Sequence, residues 1–213
     1  MTTKLKLYNK AAGHLSTVRL ASTTEAHKTR YELDAVYDDT LQACLEKGLW
    51  KFGKRTVHLE YDTAITPDFG PAYAFAQPDD YVRTFAFCTD EMLENEVEDY
   101  LEENGVWYAP VTDIYLAYLS NDASYGLNLG LWTENFAEYV GAQLALNCAL
   151  PITRDKFTRN DLLTLSSNYL KVAKRLDAVD EPIKRKPMGR LVQSRLGGYS
   201  GPNFRNGKMS WNR

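Results

Sequence analysis

The sequence has little of the chemistry from which enzyme sites are usually built. It contains only three cysteines (Cys44, Cys88, Cys148) and three histidines (His14, His27, His58), none with the spacing of a metal site. The cysteines are too few and too widely spaced for a disulfide framework, so we expect buried thiols in a reducing compartment. No phosphate-binding loop, dinucleotide fingerprint or G-x-S-x-G pattern occurs. We therefore expect no metal, no cofactor and no enzyme activity.

Long apolar runs are also missing. The first residues lack the apolar core of a signal peptide, and no later run is long enough to cross a bilayer. These features predict a soluble protein that is made in a cytoplasm and has no membrane partner. With 44% hydrophobic residues in a chain of 213, a packed core is nevertheless expected.

Charge is distributed very unevenly around the net value of -3. Residues 181–213 hold eight basic side chains and one acidic one, whereas residues 1–180 hold 17 basic and 27 acidic ones. The basic segment is rich in proline and glycine and has few apolar residues, so it should not fold alone. Its scattered aromatic and aliphatic residues favour an arm that becomes ordered on a protein partner. Nucleic-acid binding through the same basic and aromatic residues is the alternative.

A helix followed by a strand is predicted at the centre of the first half. Apolar residues recur at helical spacing from Leu33 to Phe52, and Gly53 is predicted to end this helix. Thr23 or Thr24 is its expected N-cap. From Thr56 to Tyr61 the apolar period changes to two, which predicts a strand.

Further elements follow from local patterns. A short helix is predicted over 5–12, strands over 81–88 and 114–119, and a proline-rich loop over 65–78. Asn104-Gly105 between β-rich segments indicates a hairpin. A buried helix is predicted to begin at a Thr133 cap and to end at Pro151. The last helix carries the following apolar residues on one face: Leu162, Leu165, Tyr169, Val172, Ala173, Leu176 and Val179.

These elements predict an α+β fold with largely antiparallel sheets. Residues 1–53 and 129–182 would form an antiparallel helical bundle. Residues 54–128 would form a small β-rich insertion in that bundle, and residues 183–213 an extended basic C-terminal arm.

Acidic residues are concentrated between positions 90 and 103. A run of this kind is usually a solvated face, but it could also contain the pair of carboxylates that a glycoside hydrolase uses. A cell-wall hydrolase therefore stays open as an alternative function. The acids singled out are Glu94, Glu96, Glu98, Glu102 and Glu103.

Several segments, taken in order, resemble the head-to-tail adaptor family of short-tailed bacteriophages, also called tail tubular protein A. They are LYNKAAGHL, RLAS, LDAVYDDTLQACLEKGLWKFGKRTVHLEYD, FGPAYAFAQPDDYVRTFAF, YLEENGVWYAP, IYLAYLSNDASYG, LWTENFAEYVGAQLA and the final helix leading to DAVDEP. Together they span almost all of residues 5–182. They are packing and turn residues, so the specificity of the resemblance comes from their number and order.

The resemblance implies a structural virion protein, made in the bacterial host and placed in the neck of the phage. Normally twelve copies form a ring below the portal, the helices forming its body and the β insertion pointing to the tail nozzle. DNA passes through the ring without sequence-specific binding, and tail fibres or spikes are a further candidate partner. The arm reaches along the portal, and its candidate contacts are Arg190, Leu191, Val192, Arg195, Leu196, Tyr199 and Phe204. The five singled-out acids are candidates for the channel wall or the lower face, where an acidic surface repels DNA.

Overall fold

The computed structural model describes residues 1–67 and 70–179, together with the backbone of residues 204–205 and 208–209. Within these residues the chain has four α-helices and two antiparallel sheets of three strands each. The predicted α+β class is thereby confirmed. The helices are α1 (Lys4–His14), α2 (Lys28–Glu46), α3 (Glu134–Thr153) and α4 (Lys156–Val179).

Both three-stranded sheets lie between α2 and α3 in the chain. One sheet has the order β1-β6-β3 and the other the order β2-β5-β4, and every pairing is antiparallel, as predicted. The strands are β1 (Lys54–Glu60), β2 (Tyr73–Ala76), β3 (Tyr81–Cys88), β4 (Leu101–Glu103), β5 (Val106–Ala109) and β6 (Asp113–Ser120). In a separate unit, Val179–Arg213, the backbone of β7 (Phe204–Arg205) pairs antiparallel with β8 (Lys208–Met209).

Strand β2 corrects the prediction of a loop over 65–78. The prolines that favoured a loop, at positions 67, 71 and 78, all lie outside the strand, so none removes a ladder hydrogen bond. The four strand residues between them pair with β5, with Phe75 opposite Trp107. Both rings are buried, and they form a sheet core with neighbours such as Phe87 and Ile114. Four residues are too few for periodicity to indicate a strand.

The predicted hairpin is confirmed at Asn104-Gly105, which joins β4 to β5. Asn104 has φ 50° and Gly105 has φ 77°, and a two-residue turn of this kind requires two positive values. A Cβ added at Gly105 would meet no atom within 4 Å, so the glycine is needed for its backbone angle alone.

We predict that Gly105→Ala lowers the free energy of unfolding by about 1 kcal/mol, because alanine is strained at positive φ. Urea unfolding of both proteins measures the difference. Gly105→Asn is the matched control, since asparagine tolerates this region and should lose less stability. Equal losses in the two variants would contradict the assignment of the effect to backbone strain.

Helix α3 lies at the centre of the helical core. Most of its residues are buried, and both α1 and α2 pack against it. The expected cap at its start is confirmed, because the Thr133 hydroxyl accepts a hydrogen bond from the Phe136 backbone N–H at 3.3 Å. The prediction that Pro151 ends the helix is wrong. Pro151 lies in the last turn, where its missing N–H costs a single bond, and the helix ends with Arg154 in the left-handed conformation.

The predicted bounds of α2 are also wrong at both ends. Its N-cap is His27, whose Nδ1 accepts from the Thr29 N–H at 3.2 Å, while the Thr24 N–H bonds to Ser22 within the preceding loop. The helix ends at Glu46, well before Gly53. The physical reason is Trp50, which is buried and folds back so that its indole N–H donates to the last carbonyls of the helix.

An ionic cluster connects α1 to α2. The Asp34 carboxylate accepts hydrogen bonds from the Tyr8 hydroxyl and from Arg30 at 2.7 Å, and it contacts the Lys4 ammonium at 3.1 Å. Burial acts to raise the pKa of Asp34, but these three donors outweigh it and lower the pKa from 3.8 to about 2. The depressed pKa means that the cluster stabilises the fold only while Asp34 is ionised.

We predict that the stability difference between the wild type and Asp34→Asn depends on pH. It should be fully present above about pH 4, where the unfolded carboxyl is ionised, and should shrink as pH falls through the folded pKa of about 2. Urea unfolding at pH 6, 4 and 2.5 measures it. Asp38→Asn, at an exposed carboxylate of the same helix, should change stability by less than about 0.5 kcal/mol at pH 6. A difference in stability between the wild type and Asp34→Asn that stays constant from pH 6 to pH 2.5 would contradict the stabilising role of the ionised carboxylate.

Candidate functional site

The candidate portal contacts lie outside the described residues. This applies to Arg190, Leu191, Val192, Arg195, Leu196 and Tyr199. For Phe204 the structure describes only the backbone, in β7. Their docking role stays a prediction.

The five candidate acids lie on two neighbouring segments and are all exposed. Glu94 and Glu96 belong to a turn that folds back on β3, where Glu96 forms a bridge with Cys88 and Glu98 follows. The Asp90 carboxylate holds this turn by accepting the N–H groups of Glu94 and Asn95, and these bonds lower the pKa of Asp90.

The other two acids lie on strand β4. Glu102 is opposite Trp107, and Glu103 is opposite Val106. The Glu102 carboxylate accepts a hydrogen bond from the Gln77 amide at 2.8 Å. All five acids are exposed, and their position facing a channel stays a prediction.

The apolar face of α4 is only partly covered by the described chain. Leu162 and Ala173 are buried in the helical core, and the buried Ser166 hydroxyl donates to Gln143 of α3 at 2.7 Å. Val172 and Leu176, one turn apart, are 46% and 42% exposed. Because each residue turns an α-helix by about 100°, Val172 and Leu176 lie beside the buried face that contains Leu162, Ser166 and Ala173.

Basic side chains border these exposed apolar residues. Lys171 and Arg175 are exposed and lie four residues apart, next to Val172 and Leu176. We name this surface, formed by Lys171, Val172, Arg175 and Leu176, the α4 stripe. The sequence places Val172 and Leu176 on the apolar face of the helix, and no periodic signal distinguishes them from its buried residues.

A groove of about 440 Å³ lies on the outer side of α2. Its floor is apolar and its rim is acidic, and we name it the α2 groove. The lining residues are Tyr37, Asp38, Asp39, Leu41 and Gln42 from the helix and Leu127 and Leu129 from the loop after β6. Sequence reasoning missed this groove because the two leucines are far from α2 in the chain.

The loop wall of the α2 groove is held by a dense set of hydrogen bonds. The Asn121 amide donates to Gln42 at 3.3 Å, and the Gly126 N–H donates to the Ser120 carbonyl at 3.1 Å. Behind them the Asp80 carboxylate accepts from the Ser120 hydroxyl, and from Arg55 at 2.8 Å. Burial acts to raise the pKa of Asp80, but these donors and the Tyr118 hydroxyl lower it, so the carboxylate stays ionised.

The three histidines lie in different places, as their separation in the sequence predicted. His14 is half-buried between α1 and α4, and burial lowers its pKa, while His27 caps α2 and His58 stacks on Tyr115. The thiols of Cys44, Cys88 and Cys148 are all buried, as predicted.

The described residues contain neither a candidate metal site nor a membrane-spanning helix. Within 1–67 and 70–179, no group of three or more His, Cys, Asp or Glu could hold a metal ion. No helix in that part of the chain is long and apolar enough to cross a membrane.

Comparison with models of known protein families finds no match to this chain, and comparison with curated proteins finds none either.

Proposed function

We propose that this chain is the head-to-tail adaptor of a short-tailed bacteriophage. In this proposal its helices form a bundle that serves as the body of a twelve-copy ring, its sheets point to the tail nozzle, and residues 183–213 extend along the portal. DNA passes through the ring during ejection, and no chemical step is assigned to any residue.

One observation carries this proposal, namely the α4 stripe. Large apolar side chains that stay exposed beside charged ones are typical of a surface that another protein covers. The resemblance stated above supports the same reading, because its segments contain the buried Trp50, the Asn104-Gly105 turn and the Thr133 cap. An assembly protein needs such packing residues and no catalytic group.

Two alternatives have less support. A glycoside hydrolase needs a carboxylic acid whose pKa burial has raised, but the five acids considered are all exposed. DNA binding through residues 181–213 is favoured by their eight basic side chains, and it predicts an affinity that falls steeply as salt rises.

Co-sedimentation with portal rings of the same virus tests the proposal and separates it from DNA binding. The full chain and a version ending at Asp180 are each mixed with portal rings or with duplex DNA, at low and at high salt. We expect the full chain to sediment with the portal in both salts and the shortened chain to remain in solution. Binding to DNA alone, lost at high salt, would overturn the adaptor proposal in favour of the DNA-binding alternative.

A further inference from the structure

We propose that the α4 stripe of one copy docks in the α2 groove of the next copy and so forms the ring contact. This inference rests on the proposed adaptor function and adds to it the two surfaces that meet. The contact is heterologous, because one patch of the chain binds a different patch on its neighbour, and such a contact can close a ring.

Charge complementarity identifies a second copy as the occupant of the groove. Helix α2 carries five acidic and two basic side chains, whereas α4 carries five basic and two acidic ones. Arg30 and Asp34 of α2 neutralise each other at 2.7 Å, and two of the four remaining acids, Asp38 and Asp39, line the groove. Two helices of opposite charge attract each other across a contact, whereas two copies of the same surface would repel each other.

The charged groups of both surfaces are available for this contact. Within the described residues, no ion pair involves Asp38 or Asp39 at the groove, or Lys171 or Arg175 at the stripe. Within α4 itself the last acid is Asp177, whose carboxylate accepts the Lys51 backbone N–H at 3.3 Å on the side of the helix away from the stripe. The stripe therefore presents positive charge beside its apolar residues.

The apolar parts of the two surfaces also correspond. Val172 and Leu176 project from α4 at 46% and 42% exposure. The apolar lining of the groove is formed by Tyr37 and Leu41 of α2 and by Leu127 and Leu129 of the loop. Aliphatic side chains entering an apolar groove, with charges paired around them, have the anatomy of a stable protein interface.

The two surfaces share no residue, because the α4 stripe belongs to one helix and the α2 groove is lined by α2 and the loop after β6. Helix α2 contacts α3 through Thr40, whose hydroxyl accepts a hydrogen bond from Asn147, while α4 contacts α3 through Ser166. The groove lies on the exposed side of α2 and the stripe on the exposed side of α4. Each copy thus has one surface for each of its two neighbours.

Charge reversal tests the pairing directly. One variant carries Lys171→Glu and Arg175→Glu, and a second carries Asp38→Lys and Asp39→Lys. The chain concentration that half-saturates ring assembly on portal rings is measured by light scattering. We expect each variant alone to need at least about tenfold more protein than the wild type, because like charges then meet across the contact.

An equimolar mixture of the two variants gives the decisive result. In an alternating ring every reversed stripe meets a reversed groove, and every native stripe meets a native groove, so we expect assembly to return to the wild-type concentration. This recovery also shows that both variants fold. Asp79→Lys with Glu91→Lys, two exposed acids that flank strand β3, is the matched control and should assemble like the wild type.

The other possible results distinguish a failure of the docking pair from a failure of the adaptor function on which it rests. If each variant alone assembles like the wild type, the docking pair is wrong and the adaptor function stands. If assembly is lost and the mixture does not restore it, another segment occupies the stripe, for example the chain's own C-terminal residues, and the pairing is again overturned. If the wild type forms no ring on the portal, the adaptor function and the pairing both fail.

Discussion

Replacing Trp50 by alanine should lower the free energy of unfolding by about 3 to 5 kcal/mol, the usual loss for a large aromatic residue in a core. The Trp50 side chain is 1% exposed, and its ring centroid lies 4.6 Å from that of Phe136 of α3. Its indole N–H donates to the Cys44 carbonyl at 3.2 Å and to the Leu45 carbonyl at 3.1 Å. The substitution removes this burial and leaves the end of α2 without its cap.

Trp50→Phe separates the two contributions. Phenylalanine keeps most of the buried ring but has no N–H, so we expect a smaller loss, of about 1 to 2 kcal/mol. Thermal unfolding followed by circular dichroism measures both variants, and roughly 10 °C is the expected decrease in Tm for Trp50→Ala. A loss below about 1 kcal/mol in Trp50→Ala would contradict the central position given to this residue.

Replacing Gly126 by alanine is the second change with a large expected effect. A Cβ at this position would lie 2.1 Å from the Ser120 carbonyl oxygen, which is a backbone atom and cannot rotate away. The same glycine approaches Gly53, whose own Cβ would lie 2.9 Å from the Gly126 Cα. Its carbonyl also accepts the Trp132 indole N–H at 2.8 Å. We expect a loss of about 3 kcal/mol or more, because the backbone must move to relieve the clash.

Gly130→Ala, in the same loop, is the matched control for Gly126→Ala. A Cβ there would lie 3.2 Å from Oδ1 of the Asn128 side chain, which can adjust, so the expected loss is below about 1 kcal/mol. Urea unfolding of both variants measures the difference. Comparable losses would contradict the claim that close backbone approach at Gly126 fixes the wall of the α2 groove.

Local sequence patterns predicted the structure correctly where a single local interaction determines it. The Asn104-Gly105 turn needs two positive φ angles, and the Thr133 cap needs one hydroxyl, so both could be predicted from their residue types. The strand over 81–88 was predicted with its observed bounds, because its length and β-rich composition leave little ambiguity.

The predictions were wrong where contacts with residues elsewhere in the chain determine the local structure. Helix α2 ends where the Trp50 indole folds back onto it. The sequence does not reveal this end, because the helical spacing of apolar residues continues to Phe52. Pro151 is tolerated because it lies in a final turn whose position depends on tertiary packing. The exposure of Val172 and the groove formed by Leu127 beside α2 are likewise properties of the folded surface. For this reason the α4 stripe and the α2 groove could not be located from the sequence alone.

The proposed adaptor function is tested most directly by measuring the mass of phage portal rings before and after they are mixed with this chain. Light scattering should show that the full chain adds one ring of defined stoichiometry, which for twelve chains of 24.2 kDa is about 290 kDa. The version ending at Asp180 should add none. A portal whose mass is unchanged by the full chain at every concentration and salt tested would contradict the adaptor function.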